Sequence, residues 1–143
     1  MREIRNIVED VIAVIEAIRF PLSVTAEFPN ELMDMPLNTP LITVGIAEIE
    51  IDSSAAACYS GKSGTEKYSL PADITVEVNI HIPHDLYGLV NYDVMSMVLD
   101  ALHKSNIEVY KMTTEKMYYN STFLCIVYPV RFKFHEHICG DSQ

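Results

Sequence analysis

Five histidines and three cysteines are the side chains best suited to hold a metal or attack an electrophile. His135 and His137 flank Glu136. Two residues apart in a strand they share a face, which offers a metal two ligands but no third. His81 and His84 are separated by Ile82 and Pro83, and no cysteine or carboxylate pair completes a site around them. Cys58, Cys125 and Cys139 match no zinc spacing and cannot all pair within one chain, so a reducing, cytosolic setting is expected. Cys125 stands in an apolar run and reads as a small hydrophobe. Cys58 has Lys62 nearby but no base to fix it as a nucleophile.

Gly61-Lys62-Ser63 has the ending of a phosphate-binding loop. The glycine such a loop needs five residues before the Gly-Lys is replaced by Ala56, and a strand rather than a helix follows. No Gly-x-Ser-x-Gly elbow occurs. The carboxylates remain. Glu48 and Glu50 share one strand face, and Asp73 and Glu77 share another. Such pairs do acid–base work in a desolvated cleft, but on an open sheet they form the wet face. These residues point away from an enzyme and imply neither metal nor cofactor.

The element that places Asp73 and Glu77 is the stretch Ala72-Asp-Ile-Thr-Val-Glu-Val-Asn-Ile-His-Ile-Pro83. Ile74, Val76, Val78, Ile80 and Ile82 alternate with Asp73, Thr75, Glu77, Asn79 and His81, which predicts a half-buried strand. Residues 41–52 predict a second strand, which places Glu48 and Glu50. Ile42, Val44 and Ile46 share one parity, whereas Ile49 and Ile51 take the other. That switch around Ala47 predicts a bulge or a change of covered face, which Gly45 would permit. A third long strand spans residues 122–135, with Leu124, Ile126, Tyr128, Val130, Phe132 and Phe134 on one face. Pro129 within it predicts an edge position or a bulge. Residues 107–119 predict a weaker strand, with a hairpin-like kink at residues 113–116.

Two amphipathic helices complete the set. Residues 3–19 carry Ile4, Ile7, Val8, Val11, Ile12, Ile15 and Ile18 at helical spacing, with Val14 off the stripe. Residues 89–104 carry Val90, Val94, Met97, Val98, Ala101 and Leu102, with Asn91 or Asp85 as candidate cap. A short strand is expected at 22–28, then a proline-rich irregular loop. Hairpin-type connections and two helices predict an α+β fold, an antiparallel sheet with both helices packed on one face. The 143 residues fit a single domain spanning 1–143. Residues 53–71 read as a flexible loop or arm, and 138–143 as a frayed tail.

Ten basic against twenty acidic residues give a net charge of −10, which argues against tight binding to a phosphate backbone. Residues 21–60 hold no lysine or arginine but include Glu27, Glu31, Asp34, Glu48, Glu50 and Asp52. The opening Met-Arg-Glu-Ile-Arg does not read as a signal peptide, and no apolar run approaches the ~20 residues of a membrane helix.

The order of these elements resembles the tail terminator (tail completion) proteins of long-tailed bacteriophages and phage-tail-like bacteriocins. The N-terminal helix is followed by a strand ending Glu27-Phe-Pro29 and by Pro40-Leu-Ile-Thr-Val-Gly-Ile46, a strand opening after a proline. The strand ending His81-Ile-Pro83 leads through Gly88 into a helix ending Val98-Leu-Asp-Ala-Leu102, and a long strand closes the chain. The resemblance spans residues 3–135 and rests on order and pattern. It implies a structural subunit, assembled in the host cytoplasm, that forms a six-membered ring on the tail tube of a phage or phage-like particle. The ring stops tube growth and meets the sheath end or head connector, with DNA only as passing cargo and no membrane partner. It implies an acidic lumen, for which Glu48, Glu50, Asp73 and Glu77 are the candidates. It implies head-to-tail subunit contacts, for which the candidates are Leu32, Met33, Met35 and Leu37 in one loop and Cys58, Tyr59 and Tyr68 in another. Another head–tail joining protein fits the same pattern. The competing expectation is a small α+β enzyme or ligand-binding module with a site on the open sheet face.

Overall fold

A computed structural model of the chain describes residues 3–18, 23–26, 39–51, 66–83 and 89–142, and side chains for all of these except 66–69, 89 and 139–142. Among the described residues the elements are α1 (Ile4–Glu16), β1 (Ser23–Ala26), β2 (Leu41–Ile51), β3 (Glu66–Pro83), α2 (Leu89–Lys104), β4 (Val109–Thr114), β5 (Tyr118–Asn120) and β6 (Cys125–Ser142). They form a two-layer α+β fold. The sheet order is β1-β2-β3-β6-β4, and β5 also pairs with β6.

The alternation read in β3 has the expected effect. Ile74, Val76, Val78, Ile80 and Ile82 are all buried, as are Ile42 and Val44 beside them and Val130, Phe132 and Phe134 across from them. Both helices cover this one face. α1 sends Ile7, Val11 and Ile15 into the core at four-residue spacing, and α2 sends Val94, Val98 and Leu102 at the same spacing. Val14, off the α1 stripe, is half-buried and faces a groove shared with Met97 and Ala101 of α2. Each fully buried aliphatic side chain contributes roughly 1.5–3 kcal/mol through removal from water.

The β2 parity switch is a bulge. Register shifts between Ile46 and Glu48, so Ala47 has no partner. Ile46 opposes Val76 before the bulge and Ile49 opposes Ile74 after it, which keeps both on the helix side. Gly45 itself stays in register, opposite Glu77.

Pro129 does not lie on an edge strand, because β6 runs between β3 and the β4–β5 edge. Its effect appears in the neighbour. The Pro129 carbonyl accepts the Glu115 N–H at 3.1 Å, so this residue's backbone points toward β4–β5. It has no N–H to return. Thr114 pairs with Val130 and Tyr118 with Val127, so residues 115–117 bulge against only two residues of β6. The kink expected near residues 113–116 is therefore not a hairpin. β4 and β5 are two parts of one edge strand, both antiparallel to β6. The hairpin turn comes later, at residues 121–124, where Asn120 Oδ1 accepts the N–H groups of Thr122 and Phe123. Leu124 closes it at φ 50°, a left-handed position that leucine takes only under strain.

Four further expectations need correction. The β1–β2 pair is parallel, with Ser23 opposite Leu41, so the sheet is mostly rather than wholly antiparallel. β3 begins at Glu66 and β6 runs to Ser142, with Glu66 opposite Ser142. Strand pairing thus enters both the span expected as a loop or arm, 53–71, and the tail expected to fray, 138–143. Among the described residues the β2–β3 pairing ends at Ile51 with Ala72, so Pro71 has a described strand neighbour only in β6, where it opposes His137. Asn91 is not a cap. It is the third residue of α2, fully buried, and neither amide atom finds a hydrogen-bond partner. An amide buried this way costs about 1–3 kcal/mol.

Two outcomes test this packing. Asn91→Leu, of nearly the same shape, raises unfolding free energy by about 1–3 kcal/mol, measured by urea denaturation. Ile80→Ala lowers it by about 2–5 kcal/mol in the same assay.

Candidate functional site

The sheet face turned away from the helices holds the charged side chains, in rows set by strand register. At one end Glu50 opposes Asp73, which opposes His135. The next row is Glu48, Thr75, Lys133 and Lys111, and the one after it is Gly45, Glu77, Arg131 and Thr113. Further along, Thr43, Asn79 and Pro129 align, then Leu41, His81, Val127 and Tyr118. The face passes from ionic to apolar along the strands. Leu41, Thr43, Cys125 and Val127 at the apolar end are buried.

All four acidic candidates, Glu48, Glu50, Asp73 and Glu77, therefore share this face. They are not alone on it. Asp73 Oδ1 contacts His135 Nδ1, and Tyr110 stacks on the His135 ring with centroids 4.3 Å apart and planes 9° from parallel. Arg131 Nη2 lies 3.5 Å from Glu77 and 3.3 Å from Glu115. Its Nε is buried without a partner. These pairs are partly exposed, so each contributes at most about 1 kcal/mol. Glu50 opposite Asp73 and Lys111 opposite Lys133 are like-charge neighbours, which cross-strand packing disfavours. The acids come from β2 and β3, and the cations from β6 and β4.

Glu50, Pro71, Asp73, His135, Glu136 and His137 border a shallow cleft of about 370 Å³. His135 and His137 share the face, as their spacing predicts. Among the described residues, no group of three or more His, Cys, Asp or Glu side chains could hold a metal ion. Two other depressions lie on the helix side. A groove of about 590 Å³ runs between the end of α2 and β4, past Leu102, Ile107, Tyr110 and Met112. One of about 670 Å³ separates the helices.

At the apolar end, His81 Nδ1 lies 3.2 Å from the Leu41 carbonyl oxygen. A carbonyl only accepts, so Nδ1 carries the proton. Burial pushes the His81 pKa below its ordinary 6.5, against a smaller upward pull from the backbone at Leu41 and Asn79. Burial likewise raises the Cys125 thiol, which suits the small hydrophobe its neighbours imply and not a nucleophile.

The proposed subunit-contact residues Leu32, Met33, Met35, Leu37, Cys58 and Tyr59 lie outside the described residues. Of Tyr68 only the backbone is described, opposite Gly140. Sequence reading missed the Asp73–His135–Tyr110 group and the Arg131 bridge. The signal was available in principle: aligning the apolar parities of β3 and β6 sets Asp73 beside His135, though 62 residues separate them. Among the described residues, no helix is long and apolar enough to cross a membrane. Comparison with protein-family models and with curated proteins returned no match.

His81 makes stability depend on pH. Below about pH 6.5 the unfolded chain takes up a proton that the folded chain resists until its lower pKa is reached. The stabilisation is complete above that pH and declines as pH falls through the window below it. Wild type therefore loses melting temperature between about pH 7.5 and pH 5, and His81→Gln shows a smaller loss over the same range, measured by thermal denaturation.

Proposed function

We propose that this chain is a structural subunit of a phage-type tail, closing the tube end as a six-membered ring. The ring ends tube growth and gives the sheath end or head connector a seat. The observation that carries this assignment is the element order, α1-β1-β2-β3-α2-β4-β5-β6, in a sheet with both described helices on one face. That order is the one on which the resemblance to tail terminators rests. Support also comes from the ionic end of the face turned away from the helices, where the cleft is shallow rather than a deep enclosed pocket.

Assigned to the ring lumen, the open face sets Glu48, Glu50, Asp73 and Glu77 toward any DNA in transit. Carboxylates repel phosphate and keep the strand from adhering. Arg131 and Lys133 on the same face moderate that repulsion, and Arg131 is already engaged by Glu77 and Glu115. Assembly takes place in the host cytoplasm and the product stays with the particle.

One observation favours a second reading, a ligand-binding module on the open face. Asp73, His135 and the stacked Tyr110 lie beside a cleft large enough for a sugar-sized ligand.

The test is molar mass by light scattering over a concentration series, followed by electron microscopy with tail tubes. A species of six chain masses and a density capping one tube end are expected. A chain that stays monomeric and never marks a tube end sinks the assignment, and ligand screening of the Asp73–His135 cleft becomes the next experiment.

A further inference from the structure

Among the described residues the sheet ends in two lateral edges, and their rows match. β1 pairs only with residues 41–44 of β2, so residues 45–51 have no described strand on that side. On the far side β4 pairs with β6 and with no other described strand. A strand edge offers a row of backbone N–H and C=O groups to which another strand can add. The two stretches lie on the same rows: Glu48 aligns through Thr75 and Lys133 with Lys111, and Ile49 through Ile74 and Phe134 with Val109. β2, β3, β6 and β4 alternate in direction, each antiparallel to the next. A copy related by rotation about an axis along the strands therefore sets its β2 antiparallel to β4 of its neighbour. The alternation continues, with no step along the axis.

The chemistry of the edges is complementary on both faces. On the open face, β2 brings exposed Glu48 and Glu50, and the described residues of β1 and β2 include no Lys, Arg or His. β4 brings exposed Lys111, on the row of Glu48. On the helix face, β2 brings half-buried Ile46 and Ile49, and β4 brings Met112, 37% exposed, on the row of Ile46, and half-buried Val109 on the row of Ile49. Apolar side chains thus meet apolar ones on one face while opposite charges meet on the other.

We infer that copies of this chain associate head to tail, β4 of one adding antiparallel to residues 45–51 of β2 in the next, with Lys111 against Glu48. This deepens the ring part of the function proposed above and rests on it, because a repeated head-to-tail contact closes into a ring when the rotation allows. It does not involve the tail tube.

The experiment uses two variants of the full chain, Lys111→Glu and Glu48→Lys. Each sets like charges opposite one another at this contact. Light scattering at low salt is expected to show self-association weakened at least about tenfold in each variant alone, because like charges now face one another. An equimolar mixture recovers wild-type association through alternating subunits, and so does one chain carrying both reversals. Both positions are on the surface, and circular dichroism and melting curves matching wild type confirm that the variants fold. The inference is overturned if either variant associates like wild type, if the mixture fails to recover, or if wild type keeps one chain mass at every concentration. Electron microscopy with tubes separates the two ideas. Variants that cap tubes as wild type does overturn the edge contact and leave the cap standing. A mixture that recovers association without marking tube ends keeps the edge contact and removes the cap.

Discussion

The ladder between β3 and β6 decides what else in this protein can touch. Both strands are 18 residues long and pair from Glu66 with Ser142 to Pro83 with Cys125 without a register shift. Because side chains alternate strictly, one register choice settles the face of every residue in both strands. It buries Ile74, Val76, Val78 and Ile80 beside Phe134, Phe132, Val130 and Tyr128, and the same choice sets Asp73 at His135 and Glu77 at Arg131. A slip of one residue would turn the apolar set to water and break each ionic contact together. The core and the open face are thus held by one constraint, and neither can vary alone.

Strands flanking that ladder accommodate it rather than extend it. β2 must insert a bulge at Ala47 to keep Ile49 on the helix side, and the β4–β5 edge must bulge where Pro129 offers no donor. The helices then need only one stripe each. The cost that stays unrelieved is Asn91, an amide sealed into the first turn of α2. Its spacing from Val94, Val98 and Leu102 puts it on the buried stripe whatever its polarity.

Much of the fold was legible in the sequence because it rests on period. The two long strands, the Ala47 bulge, both helices and the one-sided covering follow from where isoleucine and valine recur. What was not legible depends on partners far along the chain. The sequence around residues 66–71 and 138–142 has weak alternation, so only the pairing of those stretches with one another reveals them as strand. The parallel β1–β2 contact involves four residues, too few to carry a periodic signal. Asn91 looked like a cap because capping chemistry depends on where the helix starts, and helix starts are read less sharply than helix interiors. For the open face, the carboxylates were visible but their counterions were not. Arg131 and His135 carry no motif, and only the register brings them to Glu77 and Asp73.

The proline in β6 has a bearing on life before assembly. A long, regular, uncovered strand edge recruits any passing strand, including unfolded or misfolded copies, and is a common start for fibrous aggregates. Here the edge beside β6 is cut into a six-residue and a three-residue piece, with Glu115 and Lys116 at the break. Neither piece alone offers a template long enough for indiscriminate growth. A missing amide hydrogen in an interior strand thereby acts at a distance, as a solubility device on the neighbouring edge, leaving it open to a shape-matched partner and poor at capturing others.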